Sequence, residues 1–158
     1  MARKDRNRRR NRRRRTLEDL DPYLGCRADE NVGLDPLAVG WLQRNQPFPT
    51  GAVPEAFPEA LLAFCFEEHT VCATRATHPC PLCGERVEPI TREGFTARPG
   101  TAEIRVLGED DIFAAPDLIH HYVTIHDYRP PQVFIEAVLN GPSPGSPEHR
   151  ALVRTLNM

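Results

Sequence analysis

At 158 residues the chain has room for one domain plus appendages, and its 40% hydrophobic content, 16 prolines and 10 glycines predict short elements joined by long connections. The net charge of −2 conceals a split: residues 1–15 hold ten basic side chains and one acid, about +9, whereas the remainder holds ten arginines, no lysine and 21 acids, about −11. No apolar run approaches the roughly 20 residues of a membrane span, Thr16–Asp21 is too short and acidic for a secretory or twin-arginine leader, and five cysteines make no disulfide framework, so a cytoplasmic, reducing location is expected.

Residues 1–16 form an Arg-rich arm whose like charges repel and which has nothing to bury, so disorder is expected there. Residues 17–34 are acidic and irregular, with turn signals at Asp21-Pro22 and Gly25. Asp35 as N-cap and Pro36 at the first helical position predict a short helix to about Arg44, with Leu37, Trp41 and Leu42 inward. Gln46–Pro54 is a proline-punctuated loop. Leu61, Leu62, Cys65 and Phe66 share a face at helical spacing, which predicts a helix over about Pro58–Glu68.

The β-branched stretch Thr70–His78 reads as a strand leading into a turn at Cys80. Ala102–Leu107 and Asp111–Ala114 read as two further strands joined by a hairpin at Gly108-Glu-Asp. Pro116 is expected to open a helix with Leu118, Ile119, Tyr122 and Val123 as its apolar stripe, ending before Pro130. A helix over about Pro131–Leu139 buries Val133, Phe134, Ala137 and Val138 and ends near Gly141. Residues 141–158 read as a Pro/Gly linker and a short terminal segment, with Ser146-Pro147 placed to cap a helix through Leu156.

The chemistry concentrates in Cys80-Pro-Leu-Cys83-Gly84, followed by His121 and His126. Two thiols separated by two residues, then two imidazoles separated by four, is the ligand set of a closed Cys₂His₂ zinc site. The turn must bring the sulfurs within about 4 Å of one another around one ion, and a glycine after the second cysteine permits the positive φ such a turn needs. His120 competes with His121 for the third ligand, since both spacings to His126 are tolerated. Neither pair is in ideal helical register, so the last turn must loosen near His126. His78 and Cys72 are alternative ligands by proximity, a redox pair and inert core cysteines are the competing readings of the thiols, and no thioredoxin-like βαβ pattern surrounds them. Cys26 and Cys65 are expected to be ordinary small apolar residues.

Four protein ligands leave no open coordination position, which predicts one structural Zn²⁺ and no catalytic residue. A zinc hydrolase would require the loss of one ligand. There is no Gly-rich phosphate loop and no nucleophile elbow. Glu109-Asp110-Asp111 reads as a solvated turn, and Trp41, Tyr122 and Tyr128 as packing residues. The arm's Arg8, Arg9, Arg10, Arg12, Arg13, Arg14 and Arg15 suit non-specific binding to phosphate backbones, or else form a solubilising tail. Pro116–Asp127 carries no Arg or Lys, which argues against base reading by the finger itself.

The segments Gly40-Trp-Leu42, Gln46-Pro-Phe-Pro-Thr-Gly51, Cys80-Pro-Leu-Cys83, Ala102-Glu-Ile-Arg-Val106, Ala115–His126, Tyr128-Arg-Pro-Pro131 and Phe134-Ile-Glu-Ala-Val138 carry a resemblance. Over about residues 38–139 the chain resembles a family of uncharacterised bacterial proteins, seen chiefly in actinobacteria and other high-GC groups. The resemblance implies His121 and His126 as the histidine pair and brings no activity with it. The expected architecture is α+β: one zinc-stabilised domain over residues 17–140, with a zinc knuckle, a β-hairpin and a helix in ββα or treble-clef order, flanked by short helices. The expected role is a non-enzymatic interaction module with a protein partner, its contact face around Gln46–Pro54 or Tyr128–Phe134.

Overall fold

The computed structural model describes residues 17–158. The expected disordered arm, with Arg8–Arg15, lies outside the described residues. The described residues are mixed α+β: α1 (Arg27–Asn31), β1 (Leu37–Ala38), α2 (Phe57–Phe64), a 3₁₀ turn (Glu67–His69), β2 (Ile90–Arg92), β3 (Phe95–Ala97), β4 (Glu103–Leu107), β5 (Ile112–Pro116), α3 (Ile119–Ile125), α4 (Gln132–Asn140) and α5 (Pro147–Leu156). One sheet has the order β1-β5-β4, and β2-β3 is a separate hairpin.

β4 and β5 pair antiparallel across the solvated turn at Glu109-Asp110-Asp111, with Ile104 opposite Ala115 and Val106 opposite Phe113. The period-2 alternation sends these four to one face. There they join Phe57, Leu61 and Leu62 of α2, Phe134, Ile135 and Val138 of α4, and Ile119, Tyr122 and Val123 of α3 in the main core. Phe134 packs edge-on against both Phe57 and Phe113. The same alternation sends Glu103, Arg105 and Ala114 to the second face, which the N-terminal segment covers. Residues 20–23 run along β1, with Ala38 N–H donating to Asp21 and Tyr23 N–H to Pro36. Tyr23 stacks on Trp41, whose indole N–H donates to the Ala114 carbonyl.

That second face is buried although it is charged. Arg105 is fully buried. Its Nε and Nη2 fork onto the Asp29 carboxylate at 3.0 and 2.6 Å, Nη2 also reaches Glu103 Oε1 at 3.0 Å, and Nη1 donates to the Ile104 carbonyl. The guanidinium lies over the Tyr23 ring, and the Tyr23 hydroxyl donates to the other Glu103 oxygen at 2.8 Å. Partnership of this completeness is what a buried cation requires.

Four expectations are corrected. The helix from Pro36 to Arg44 is absent: Leu37–Ala38 is a strand parallel to β5, because neighbours on both sides satisfy its backbone groups, and Gly40 at φ +75° turns the chain away. The strand over Thr70–His78 is reduced to one bridge, Val71 with Glu103. The stretch does run beside residues 100–103, through Thr74 N–H to Thr101 and His78 N–H to Gly100, but Cys72 sits at φ +53° and breaks the ladder. Pro116 ends β5 opposite Glu103 rather than opening a helix, and α3 starts three residues later. Cys26 is not an isolated apolar residue: it is disulfide-bonded to Cys72.

The helix expected over Pro58–Glu68 stops at Phe64, Phe66 is extended and bridges Ala97 before the 3₁₀ turn, and Val133, expected inside α4's apolar stripe, is exposed. The β2-β3 hairpin was not anticipated; its two-residue loop, Glu93-Gly94, has both φ values positive, as a type I′ turn demands. α5 is capped by the Ser146 hydroxyl, which accepts from His149 N–H. It packs Val153 and Leu156 against Val71, and the buried His149 bonds through Nε2 to the Arg105 carbonyl oxygen at 2.9 Å.

The Arg105 network makes a stability prediction. Arg105→Ala would strand the buried Asp29 and Glu103 carboxylates and cost about 3–5 kcal/mol, read as a lowered urea midpoint; Arg92→Ala, whose partner Glu59 is exposed, should cost under about 1 kcal/mol.

Candidate metal centre

Cys80, Cys83, His121 and His126 converge. One ligand atom from each lies within 4.8 Å of every other. The contacts alternate sulfur and nitrogen: Cys80 Sγ is 3.5 Å from His126 Nε2, and Cys83 Sγ is 3.6 Å from His121 Nε2. The two imidazole centroids are 5.0 Å apart. His120 is not among the converging groups; it is buried beside them on α3, and burial lowers its pKa. His78 is exposed and Cys72 is bonded to Cys26, so neither alternative ligand takes part.

The knuckle follows from local backbone chemistry. Cys80 N–H donates to the Glu85 carbonyl, Gly84 N–H returns to the Cys80 carbonyl, and Leu82 N–H points at the Cys80 sulfur at 3.4 Å. Gly84 takes φ +73°, the left-handed geometry that closes the turn. Cys80 is fully buried against the main core, while Cys83 is exposed. The site is therefore half rooted in the protein and half open to its rim.

The histidines come from α3. His121 lies within the helix, and His126 is the residue just past its end, at φ −107°. Asp127 then turns left-handed at φ +55°, and both His126 and Tyr128 N–H groups return to the Tyr122 carbonyl. This loosened last turn lets two imidazoles five positions apart face one point. It is fixed from below by Tyr128, whose buried hydroxyl donates to Asp19 at 2.7 Å.

A second set of bonds ties knuckle to helix. Asp117, at the mouth of α3, is buried and accepts the N–H groups of Gly100, Thr101 and Ala102 at 2.7, 3.4 and 3.1 Å. The Gly100 carbonyl accepts His78 N–H, two residues before Cys80. Gly100 itself, at φ +89°, admits no side chain: a Cβ would overlap the His78 carbonyl oxygen. Knuckle and helix are thus brought to bonding distance by protein contacts alone.

The electrostatics suit metal ligation. Burial lowers the His121 pKa, reinforced by His126, which favours the neutral imidazole a metal needs. Burial raises the Cys80 pKa, an effect that a cation at the site would reverse.

The chain belongs to the DUF7919 family, a domain of unknown function, whose profile matches residues 15–139. The matched span contains all four converging residues and both partners of the disulfide, and it ends before α5. No curated protein and no solved structure matches the chain. No helix among the described residues is long and apolar enough to cross a membrane.

Sequence reasoning missed a second group, Cys26, Cys72 and Glu103, whose ligand-type atoms also lie within 4.8 Å of one another. Its members lie 31 to 77 positions apart along the chain, so no spacing rule exposes them.

Asp117 supplies a pH-dependent prediction. Burial raises its carboxyl to about 6 from 3.8, against the pull of the N–H donors. A folded-state value above the unfolded one means the folded state holds the proton longer, so this contribution is fully present below about pH 4 and lost as pH rises through about 6. The stability difference between wild type and Asp117→Asn, measured by urea unfolding at steps from pH 4 to 7, should therefore shift in favour of the variant as pH rises; a difference independent of pH would contradict it.

Proposed function

We propose that this chain is a non-enzymatic, zinc-binding interaction module, with one structural Zn²⁺ held by Cys80, Cys83, His121 and His126. The supporting observation is metric. Zn–S bonds of about 2.3 Å and Zn–N bonds of about 2.0–2.1 Å in a tetrahedron imply S···N separations of about 3.6 Å, and the two sulfur–nitrogen contacts are 3.5 and 3.6 Å. Two thiolates and two imidazoles are a borderline-soft set that favours zinc over the hard cations calcium and magnesium. Four protein ligands complete the tetrahedron, which is why the ion's role here is folding and not hydrolysis.

The two stretches expected to contact a partner protein are neighbours: Thr50 bridges to Tyr128, and Arg129 N–H donates to the Pro49 carbonyl. They form one face with Pro47, Pro49 and Pro54 exposed and Ile125 and Val133 outermost on the helices beside it. We place the partner there, and the protein in the cytoplasm.

Purified protein should carry one zinc per chain by elemental analysis, and a strong chelator should lower its thermal midpoint, since such an ion contributes on the order of 10 kcal/mol in small fingers. His121→Ala and His126→Ala should lose the metal, while His120→Ala keeps it. Zinc-free protein indifferent to chelation would end this reading.

The charge split supports a second reading, a nucleic-acid-associated protein gripping phosphates through Arg8–Arg15. α3 carries no Arg or Lys, so the arm alone would bind. Deleting residues 1–15 should abolish any binding to RNA or DNA, and that binding should weaken steeply with salt; binding that survives either change excludes it.

A further inference from the structure

We propose that the Cys26–Cys72 bridge is a thiol–disulfide exchange site that takes a small thiol or dithiol as co-reactant, with Cys72, beside Arg105, as the leaving sulfur. The bridge joins the N-cap residue of α1 to the loop after the 3₁₀ turn. Both residues are half-buried, and Cys26 is flanked by exposed Leu24, Gly25 and Arg27, so a small thiol can approach it from solvent. The two sulfurs are not equivalent. Cys72 Sγ accepts from Arg105 Nη2 at 3.8 Å, whereas Cys26 Sγ has no such donor among the described residues. A guanidinium at a sulfur stabilises the thiolate that departs, and the more acidic thiol leaves faster.

The remaining groups around the sulfurs are Glu103 from β4, Asp29 from α1 and Tyr23 from the N-terminal segment, all engaged with Arg105 or with one another. They allow Arg105 to stay buried and charged whether or not the bridge is present. Cys72 is also a non-glycine residue at φ +53°, a backbone conformation an L-residue rarely adopts. In a reducing cytosol the disulfides that form are chiefly redox-sensing or catalytic ones, so exchange is the chemistry that fits both this bridge and the proposed location.

The step balances. The thiolate of a dithiol attacks Cys26 Sγ, a new S–S bond forms, and the bond to Cys72 breaks with its electron pair on Cys72 Sγ, which then takes a proton from water. The second thiolate of the dithiol attacks its own mixed-disulfide sulfur and releases Cys26 as a thiol. Two electrons pass from the dithiol, now a cyclic disulfide, to the protein, now carrying two thiols. A monothiol stops at the mixed disulfide on Cys26.

The competing reading of the same atoms is a second metal site of Cys26, Cys72 and Glu103. It is disfavoured because a guanidinium already occupies Glu103 and touches Cys72, and would repel the cation.

The test uses the full-length, zinc-loaded protein. It is exposed to dithiothreitol or to reduced glutathione under native conditions, quenched with an alkylating agent and mapped by peptide mass spectrometry. The expected result is alkylation of both Cys26 and Cys72 after the dithiol, with buried Cys65 protected. After glutathione the adduct should sit on Cys26 with Cys72 alkylated, in roughly threefold or greater excess over the reverse, because the sulfur whose thiolate is stabilised leaves faster. A bridge that resists the dithiol while the protein stays folded, an even partition of the adduct, or a second zinc taken up by the reduced chain would each overturn the proposal. Alkylation at Cys80 and Cys83 reports on the metal reading separately.

Discussion

Arg105 carries a charge to a place water does not reach, and the segment from Tyr23 to Asp29 is arranged around that fact. Removing a guanidinium from water costs several kcal/mol unless its donors are matched. The match is a planar fork from Asp29, held on a five-residue helix too short to persist alone. α1 is therefore pinned by the ion pair, and with it the segment that lays Tyr23 over the guanidinium and lines the edge of β1. The other face of the same strand sends Ile104 and Val106 into the main core. A strand buried on both faces, one oily and one charged, is the element to which the helices and the N-terminal segment both dock.

The candidate metal site depends on that strand at one remove. β5 pairs with β4 and ends at Pro116, where Asp117 gathers the three N–H groups of the turn before β4. That turn holds His78, and His78 precedes the knuckle. The sheet thus fixes both the start of α3, which carries the imidazoles, and the approach to the thiols. An ion bound there is received by ligands already close to their bonding positions, so little of its binding energy is consumed in ordering them.

The four converging residues were legible because their spacing is short-range: Cys80 and Cys83 lie in one turn, and His121 and His126 at one helix end. The β4-β5 hairpin and α4 were legible for the same reason, their patterns being local and periodic. What failed was decided by pairing at a distance. Pro36 and Asp35 present a helix start, yet Leu37–Ala38 becomes a strand because β5 offers it partners. Thr70–His78 has strand composition, yet one left-handed residue, Cys72, prevents a ladder. Glu103 and Arg105 alternate with apolar residues, a pattern that does not by itself separate a solvated face from a covered one; the arrival of Asp29 from 76 positions away makes that face interior. The Glu93-Gly94 turn did carry a local signal, an acidic residue followed by glycine at the required positions.

Residues 70–89 form a long stretch without helix or full strand, of the kind that is uncommon unless something anchors it. Here the anchors are chemical. The bridge to Cys26 holds the stretch near its beginning, the backbone bonds from Thr74 and His78 hold its middle, and those joining Cys80 to Gly84 and Glu85 close the knuckle. Fixing one point of a flexible segment raises the effective concentration of the next at its target, because part of the loop-closure entropy has already been lost. An ion at the knuckle and a bond at Cys72 therefore favour one another, and by linkage the favour is equal in both directions. The disulfide and the candidate metal site share no side chain, so the coupling they have along the chain passes through the seven residues between Cys72 and Cys80. The hydrogen bonds from Thr74 and His78 to the turn before β4 limit that coupling, since each already fixes part of the path.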